Sequence, residues 1–148
     1  MANAGYRIAF GIYAINATFM LFTGLVCQFS DRFMPYHSAV IGKGWEELAR
    51  NEKVLYVGMM RTEAAGFLAS ALAIAILLLI PFRRKERWAS FAIFCVGVLE
   101  YLPTAVATYL VAQTSNGNPP WALMFAEIGS LCIALGFFIV NTLQISKS

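Results

Sequence analysis

Four long runs of apolar residues, separated by short polar segments, dominate the sequence. Each run is at least as long as the roughly 20 residues that a helix needs to cross a bilayer core of about 30 Å. Lipid cannot hydrogen-bond free backbone amides, so runs of this length must be helical. The pattern predicts an all-α fold, a membrane-embedded four-helix bundle in one domain over residues 1–148. The predicted spans are residues 8–28, 54–82, 88–112 and 121–143.

The polar segment between the first two spans contains a shorter pattern, at residues 42–53. Gly44 is a suitable N-cap there, Glu46 falls in the positive first turn, and Arg50 lies one turn further on as a partner for Glu46. The apolar side chain of Trp45 and its neighbours would rest on the membrane surface. We therefore predict a short amphipathic helix in this first outer loop, leading into the second span.

The basic residues predict an orientation. Residues 83–87 carry a net charge of +3, which comes from four basic side chains and one acidic one, whereas residues 30–53 balance to zero. Because basic loops stay in the cytoplasm, the 83–87 loop and both termini are expected inside and the long first loop outside. The same four basic residues are also candidates for binding lipid headgroups. They are Arg83, Arg84, Lys85 and Arg87.

Composition narrows the class of protein. Hydrophobic residues make up 59% and charged residues 13%, against about 45–50% and about 25% in soluble domains. The bilayer is thus the expected environment, and a formal net charge of +3 is too small to predict a nucleic-acid partner. With one histidine and three cysteines that lack ligand or redox spacing, the sequence predicts no metal, cofactor or catalytic triad. The first apolar run is long enough to be a retained helix rather than a cleaved signal.

Four ionisable residues lie inside the predicted spans. Each costs about 2.5–3.5 kcal/mol at the centre of a lone inserted helix, so each should face the bundle interior and find a partner. Arg61 and Glu63 are two residues apart and point to different sides of one helix. The spacing therefore predicts that Arg61 pairs with Glu127 or Glu100 on a neighbouring helix.

Glu100 is the deepest of the acids in this scheme. We expect it to be neutral at pH 7, because burial disfavours the ionised carboxylate, and bonded to Asn16, Thr104 or water. Two interpretations follow. The acids could form a proton or cation site opening outward, or they could be a structural polar network worth about 0.6 kcal/mol per hydrogen bond. The residues of this candidate cluster are Asn16, Arg61, Glu63, Glu100 and Glu127, with His37 at its outer mouth.

Some of these residues belong to a wider pattern, which runs from Phe33-Met-Pro-Tyr-His37 through Gly44-Trp-Glu-Glu-Leu48 to Arg61 and Gly66. This pattern resembles one in small bacterial four-helix integral membrane proteins of unknown function. The resemblance covers about the first half of the chain. It implies the fold and a bacterial inner-membrane location, but no activity or catalytic residue.

Three functions are compatible with the sequence. A chain with so little soluble mass favours a non-enzymatic membrane subunit that packs against other membrane helices, in a homo-oligomer or a larger complex. The alternative is a small proton- or cation-coupled transporter or channel that uses the buried carboxylates. A lipid-modifying enzyme, with His37 and the acids as acid–base groups, is the third. The first two differ in whether the acids are paired in a dry core or line an accessible cavity.

Overall fold

A computed structural model describes residues 4–145 of the chain, so that residues 1–3 and 146–148 of the predicted domain lie outside the described residues. All regular structure in this range is helical. Four long helices are long and apolar enough to cross a membrane, which confirms the predicted all-α bundle. The helices are α1 (Ala4–Phe29), α2 (Pro35–Ile41), α3 (Arg50–Leu77), α4 (Arg87–Thr114) and α5 (Trp121–Ile145).

The four long helices form a ring. α1 packs against α3 and α5, and α4 packs against the same two helices. One end of the bundle is closed by Phe82, whose side chain is fully buried. Its ring stacks on Tyr6 at 4.6 Å between centroids and meets Tyr13 edge-on at 5.7 Å. We call this end the Arg83 end, and the opposite end, where α2 lies, the α2 end.

The outward faces of the long helices are apolar. Leu99 is 75% exposed, Ile15 66% and Phe22 65%, and comparable side chains project from all four helices. Water would penalise such a surface on every side of a bundle, whereas lipid does not. The described part of the chain is therefore a multi-pass membrane protein.

The short helix of the first loop lies earlier than predicted. α2 begins with Pro35 in its first turn and ends at Gly42, which adopts a left-handed φ of 67°. A proline at the start and a glycine just past the end are the strongest helix boundaries available to a short segment. Within the predicted range 42–53 there is only a 3-10 turn, Trp45–Glu47, followed by two extended residues and the first turn of α3.

Local hydrogen bonds explain this break. Gly44 does begin a turn, as predicted, and its N–H donates to the Glu47 carboxylate at 3.1 Å. The Ala49 N–H donates to Glu52 at 2.7 Å, which starts α3 afresh. The predicted Glu46–Arg50 pair is wrong, because Glu46 pairs with Lys53 at 3.8 Å.

The loop at the Arg83 end is short and exposes its charges. α3 continues through a π-helical turn, Leu78–Phe82, which accommodates Pro81. Lys85 then adopts a left-handed φ of 62°, and the Glu86 N–H donates to the Pro81 carbonyl at 3.0 Å to close the turn. The basic residues named for headgroup binding, Arg83, Arg84, Lys85 and Arg87, are all exposed around this turn.

Candidate functional site

A polar seam runs between α3 and α4 on the α2 half of the bundle. Glu63, Gly66 and Ser70 follow one another on a single face of α3, at spacings of three and four residues. Glu100 of α4 meets this face, and its Oε2 accepts a hydrogen bond from Ser70 Oγ at 3.0 Å. A methyl group at position 66 would lie 3.1 Å from Oε1 of Glu100. The carboxylate thus rests against the bare backbone of α3.

The seam borders a partly open cavity at the α2 end, which we call the chamber. Its volume is about 190 Å³, and every long helix contributes to its wall. Tyr36 of α2 also borders it, so that α2 forms the roof of the chamber. Glu63 is the only charged side chain among the residues that line it. Its wall includes Phe22 and Thr23 of α1, Phe67 of α3, Thr104 and Thr108 of α4, and Met124 of α5.

A second opening, which we call the cleft, reaches Glu63 from the side. It has a volume of about 450 Å³ and lies between Met59 on α3 and Ala107 on α4, with Tyr36 and His37 of α2 above it. Glu63 itself is exposed. Because Glu63 lines the chamber and the cleft alike, it stands where the two spaces meet.

The roof side chains His37 and Tyr36 are set by a local cap and by burial. His37 Nδ1 accepts a hydrogen bond from the Met34 N–H at 3.1 Å, which caps α2 and requires this nitrogen to be unprotonated. Burial lowers the pKa of His37. Burial, with the Glu63 carboxylate nearby, raises the pKa of Tyr36 to about 12. At neutral pH both roof side chains are therefore uncharged, and Glu63 faces no cation from above.

The predicted pairing of Arg61 is wrong. Within residues 4–145, no basic side chain lies within 4.0 Å of the carboxylate of Glu63, Glu100 or Glu127, and Arg61 is exposed. The reason is the length of the second span, which is helical over Arg50–Phe82, 33 residues. Arg61 lies 21 residues before Phe82, which is about 32 Å at about 1.5 Å per residue, so a core of about 30 Å that begins at the Arg83 end would end near Arg61 and let its side chain extend to water.

Asn16 and Glu127 belong to a separate polar contact between α1 and α5. Asn16 is fully buried, and its Nδ2 donates to Ser130 Oγ at 2.8 Å, while Ser130 Oγ donates to the Glu127 carbonyl at 2.8 Å. The predicted bond from Asn16 to Glu100 is therefore wrong. Thr104, the other protein partner expected for Glu100, bonds its backbone carbonyl at 3.3 Å and not its carboxylate.

The structure thus divides the predicted cluster. It brings Glu63 and Glu100 to one seam, with His37 in the roof above Glu63, and it places Arg61 and the Asn16–Ser130 contact elsewhere. Sequence reasoning missed Ser70, Gly66 as a carboxylate seat, and the roof residue Tyr36. The spacing of Glu63, Gly66 and Ser70 was the available signal, since it marks one helix face with a carboxylate, a gap and a hydroxyl.

No group of three or more His, Cys, Asp or Glu side chains in the described range is placed to share a metal ion. No protein-family model matches the chain, and neither a curated protein nor a solved structure matches it. The resemblance to small bacterial four-helix membrane proteins therefore stays a prediction. The seam and the chamber are the features that bear on function.

Proposed function

We propose that the protein is a small membrane carrier or channel that takes up a proton or another cation at Glu63 and Glu100. The observation that carries this proposal is that both carboxylates lack a basic partner in the described chain while Glu63 lines an accessible cavity. A structural ion-pair network would instead hold each acid against a cation. Of the two alternatives predicted from the sequence, these observations favour an accessible cavity over a dry core of paired acids.

The two acids suit successive steps. Glu63 stands at the junction of the chamber and the cleft and meets an incoming cation first. Glu100 lies further along the seam, where Ser70 Oγ fixes its carboxylate at 3.0 Å. An ionised carboxylate without a partner is costly in a membrane interior, so its charge is most stable when a proton or cation accompanies it. Ionisation of these two carboxylates is thereby coupled to cation uptake.

The orientation that we propose places the α2 end outside and the Arg83 end in the cytoplasm, with both termini. The +3 charge of residues 83–87 against the neutral first loop supports it. The resemblance supports the bacterial inner membrane as the location. In this orientation the chamber opens to the exterior, where an imported cation would enter.

A second candidate function is that of a subunit in a homo-oligomer or a larger membrane complex. One observation favours it. Gly129 and Gly136 of α5 have open space where a side chain would begin, so this helix presents a smooth outward strip. Small residues on an outward face permit close approach of another membrane helix. The lipid-modifying hypothesis has less support, because His37 Nδ1 is occupied by the Met34 N–H.

Reconstitution into liposomes that contain a pH-sensitive dye tests the primary proposal. Proton influx should follow an imposed membrane potential in the wild-type protein and fall to the level of empty liposomes in Glu63→Gln and Glu100→Gln. Glu46→Gln is the matched control, since that side chain is 83% exposed and lies in the loop. Flux that is equal in all four proteins, or absent from the wild type with protons, Na⁺ and K⁺, would contradict the proposal and leave the subunit function in its place.

A further inference from the structure

We propose that the chamber binds a small organic ammonium ion, with its charged nitrogen at Glu63 and its apolar part against Phe22, Phe67 and Met124. This inference rests on the proposed function, because it names the cation that Glu63 takes up. It is carried by the lining of the chamber, which combines one carboxylate, several hydroxyl oxygens and an apolar wall.

Two hydroxyl groups of the chamber, those of Thr104 and Thr108, present acceptors to a ligand. Thr108 Oγ1 donates its proton to the Thr104 carbonyl at 2.7 Å, and Thr104 Oγ1 donates to the Glu100 carbonyl at 3.3 Å. Each hydroxyl oxygen therefore keeps lone pairs for a ligand, while its single proton is already engaged. An ammonium group carries up to three donors and no acceptor, which complements a carboxylate and two such oxygens.

The same lining disfavours a hard divalent ion. Hard divalent cations take about six to eight oxygen ligands, or keep much of their own water. The chamber offers one carboxylate, and Phe22, Phe67 and Met124 give nothing to a hydrated ion. An organic cation gains from these apolar surfaces, because it buries its carbon chain against them and its charge is attracted to the faces of aromatic rings.

Size and access restrict the ligand further. The chamber, about 190 Å³, is smaller than the roughly 300–1,000 Å³ of pockets for drug-sized molecules. The cleft opens sideways from Glu63 between Met59 and Ala107. A longer chain can extend from Glu63 through the cleft towards lipid. The ligand class is therefore a primary ammonium on an apolar chain, either a free alkylamine or the amine headgroup of a lipid.

The test uses the purified full-length protein in detergent and measures binding by isothermal titration calorimetry. The probes are hexylammonium, hexanoate, which has a similar chain and the opposite charge, and hexanol. We expect the wild type to bind hexylammonium and neither of the others. Glu63→Gln should weaken this binding by about tenfold or more, since it removes a charge-assisted hydrogen bond. Thr108→Val should weaken it by several-fold, and Glu46→Gln should leave it unchanged.

Two further arms complete the test. Glu63→Asp keeps the charge and should bind measurably, which separates loss of the site from loss of the fold. Lipid nanodiscs with ethanolamine headgroups or choline headgroups, examined by native mass spectrometry, identify the source. Retention of the ethanolamine lipid without hexylammonium binding identifies a lipid headgroup, and the reverse identifies a free amine. If neither ligand binds, or if hexanoate binds as well as hexylammonium, the inference is overturned.

The outcome is separable from that of the proposed function. Proton flux that depends on Glu63 without amine binding would retain the proposed function and reject the ammonium ligand. Amine binding that depends on Glu63 without any cation flux would retain the ligand and reject the carrier.

Discussion

The carboxylate of Glu100 on α4 lies against the backbone of Gly66 on α3, where a single methyl group would come within 3.1 Å of one carboxylate oxygen and 3.2 Å of the other. A methyl group there would force the carboxylate to move by a few tenths of an ångström. One turn further along α3, Ser70 holds the same carboxylate at 3.0 Å. The position of the Glu100 carboxylate is thus set by an absent side chain and one hydroxyl.

Replacing Gly66 by alanine should displace this carboxylate. Alanine favours the helix by as much as about 1 kcal/mol, but a shift of the Glu100 carboxylate by a few tenths of an ångström would strain its bond to Ser70, at a cost of up to about 1 kcal/mol. Gly58→Ala on the same helix is the matched control, because nothing lies within 4 Å of a Cβ there. Thermal unfolding in detergent should show Gly66→Ala about 1 kcal/mol less stable than Gly58→Ala. Equal stabilities, or a difference that persists in a Ser70→Ala background, would contradict the role of Gly66 in positioning the Glu100 carboxylate for its bond to Ser70.

Glu100 should tolerate an amide and resist a hydrocarbon. In Glu100→Gln the side-chain carbonyl can still accept from Ser70, so folding and insertion should be normal. Glu100→Leu leaves the Ser70 hydroxyl unpaired and should cost about 1–3 kcal/mol in detergent unfolding. The expectation that Glu100 is neutral at pH 7 stays a prediction. Infrared difference spectra should show a protonated carboxyl band that Glu100→Gln abolishes, and a spectrum without that band would mean the group is ionised.

The long helices could be predicted because their cause is local. A run of apolar residues such as 121–143 has to be helical in lipid, whatever its neighbours are. The position of α2 is also encoded in the sequence, by Pro35 and Gly42. These two residues outweigh the charge pattern around Gly44, on which the predicted helix at residues 42–53 depends. Helix boundary residues act directly on backbone geometry, whereas exposed charge pairs contribute only a few tenths of a kcal/mol.

The partners of the acids could not be predicted, for two physical reasons. The packing of α4 against α3 and α5, with α1 on the opposite side of the ring, decides that Ser70, and not Asn16, meets Glu100, and no local pattern encodes that arrangement. The predicted second span, residues 54–82, is already longer than a core of about 30 Å, so the sequence does not fix the depth of Arg61 along the membrane normal. A helix longer than the bilayer is thick shifts every residue along the membrane normal.

The orientation of the protein can be tested by cysteine accessibility. The free cysteines Cys27, Cys95 and Cys132 are first replaced by serine or alanine. A cysteine at Gly42, beside the roof, should then react with an impermeant maleimide added outside intact cells, and one at Glu86 should react only after the cells are opened. The physical reason is the retention of the basic 83–87 loop in the cytoplasm. The reverse labelling pattern would invert the proposed topology.

The roof over the chamber should loosen in acid. His37 Nδ1 can accept from the Met34 N–H at 3.1 Å only while it is unprotonated, and burial lowers the pKa of His37 below its ordinary value of about 6.5. The folded roof therefore binds fewer protons than the open one. Its stability is fully present above about pH 6.5 and is lost as the pH falls through the lowered pKa. Loss of one cap costs about 1 kcal/mol, which corresponds to roughly fivefold more opening.

Amide hydrogen exchange of residues 34–42 between pH 7.5 and 5, corrected for intrinsic rates, measures this opening. His37→Gln is the control that removes titration and keeps the acceptor, because Glu47 already caps Gly44 from the corresponding position with the same kind of side chain. Glu63 lines the cleft beside His37 and would attract an imidazolium, so the acid effect should be larger in Glu63→Gln. Tyr36 and Tyr56 are the other titratable groups against His37. Burial raises the pKa of Tyr36 to about 12, well above this range. If His37→Gln shows the same acid-dependent exchange as the wild type, the cap is not the pH-sensitive element.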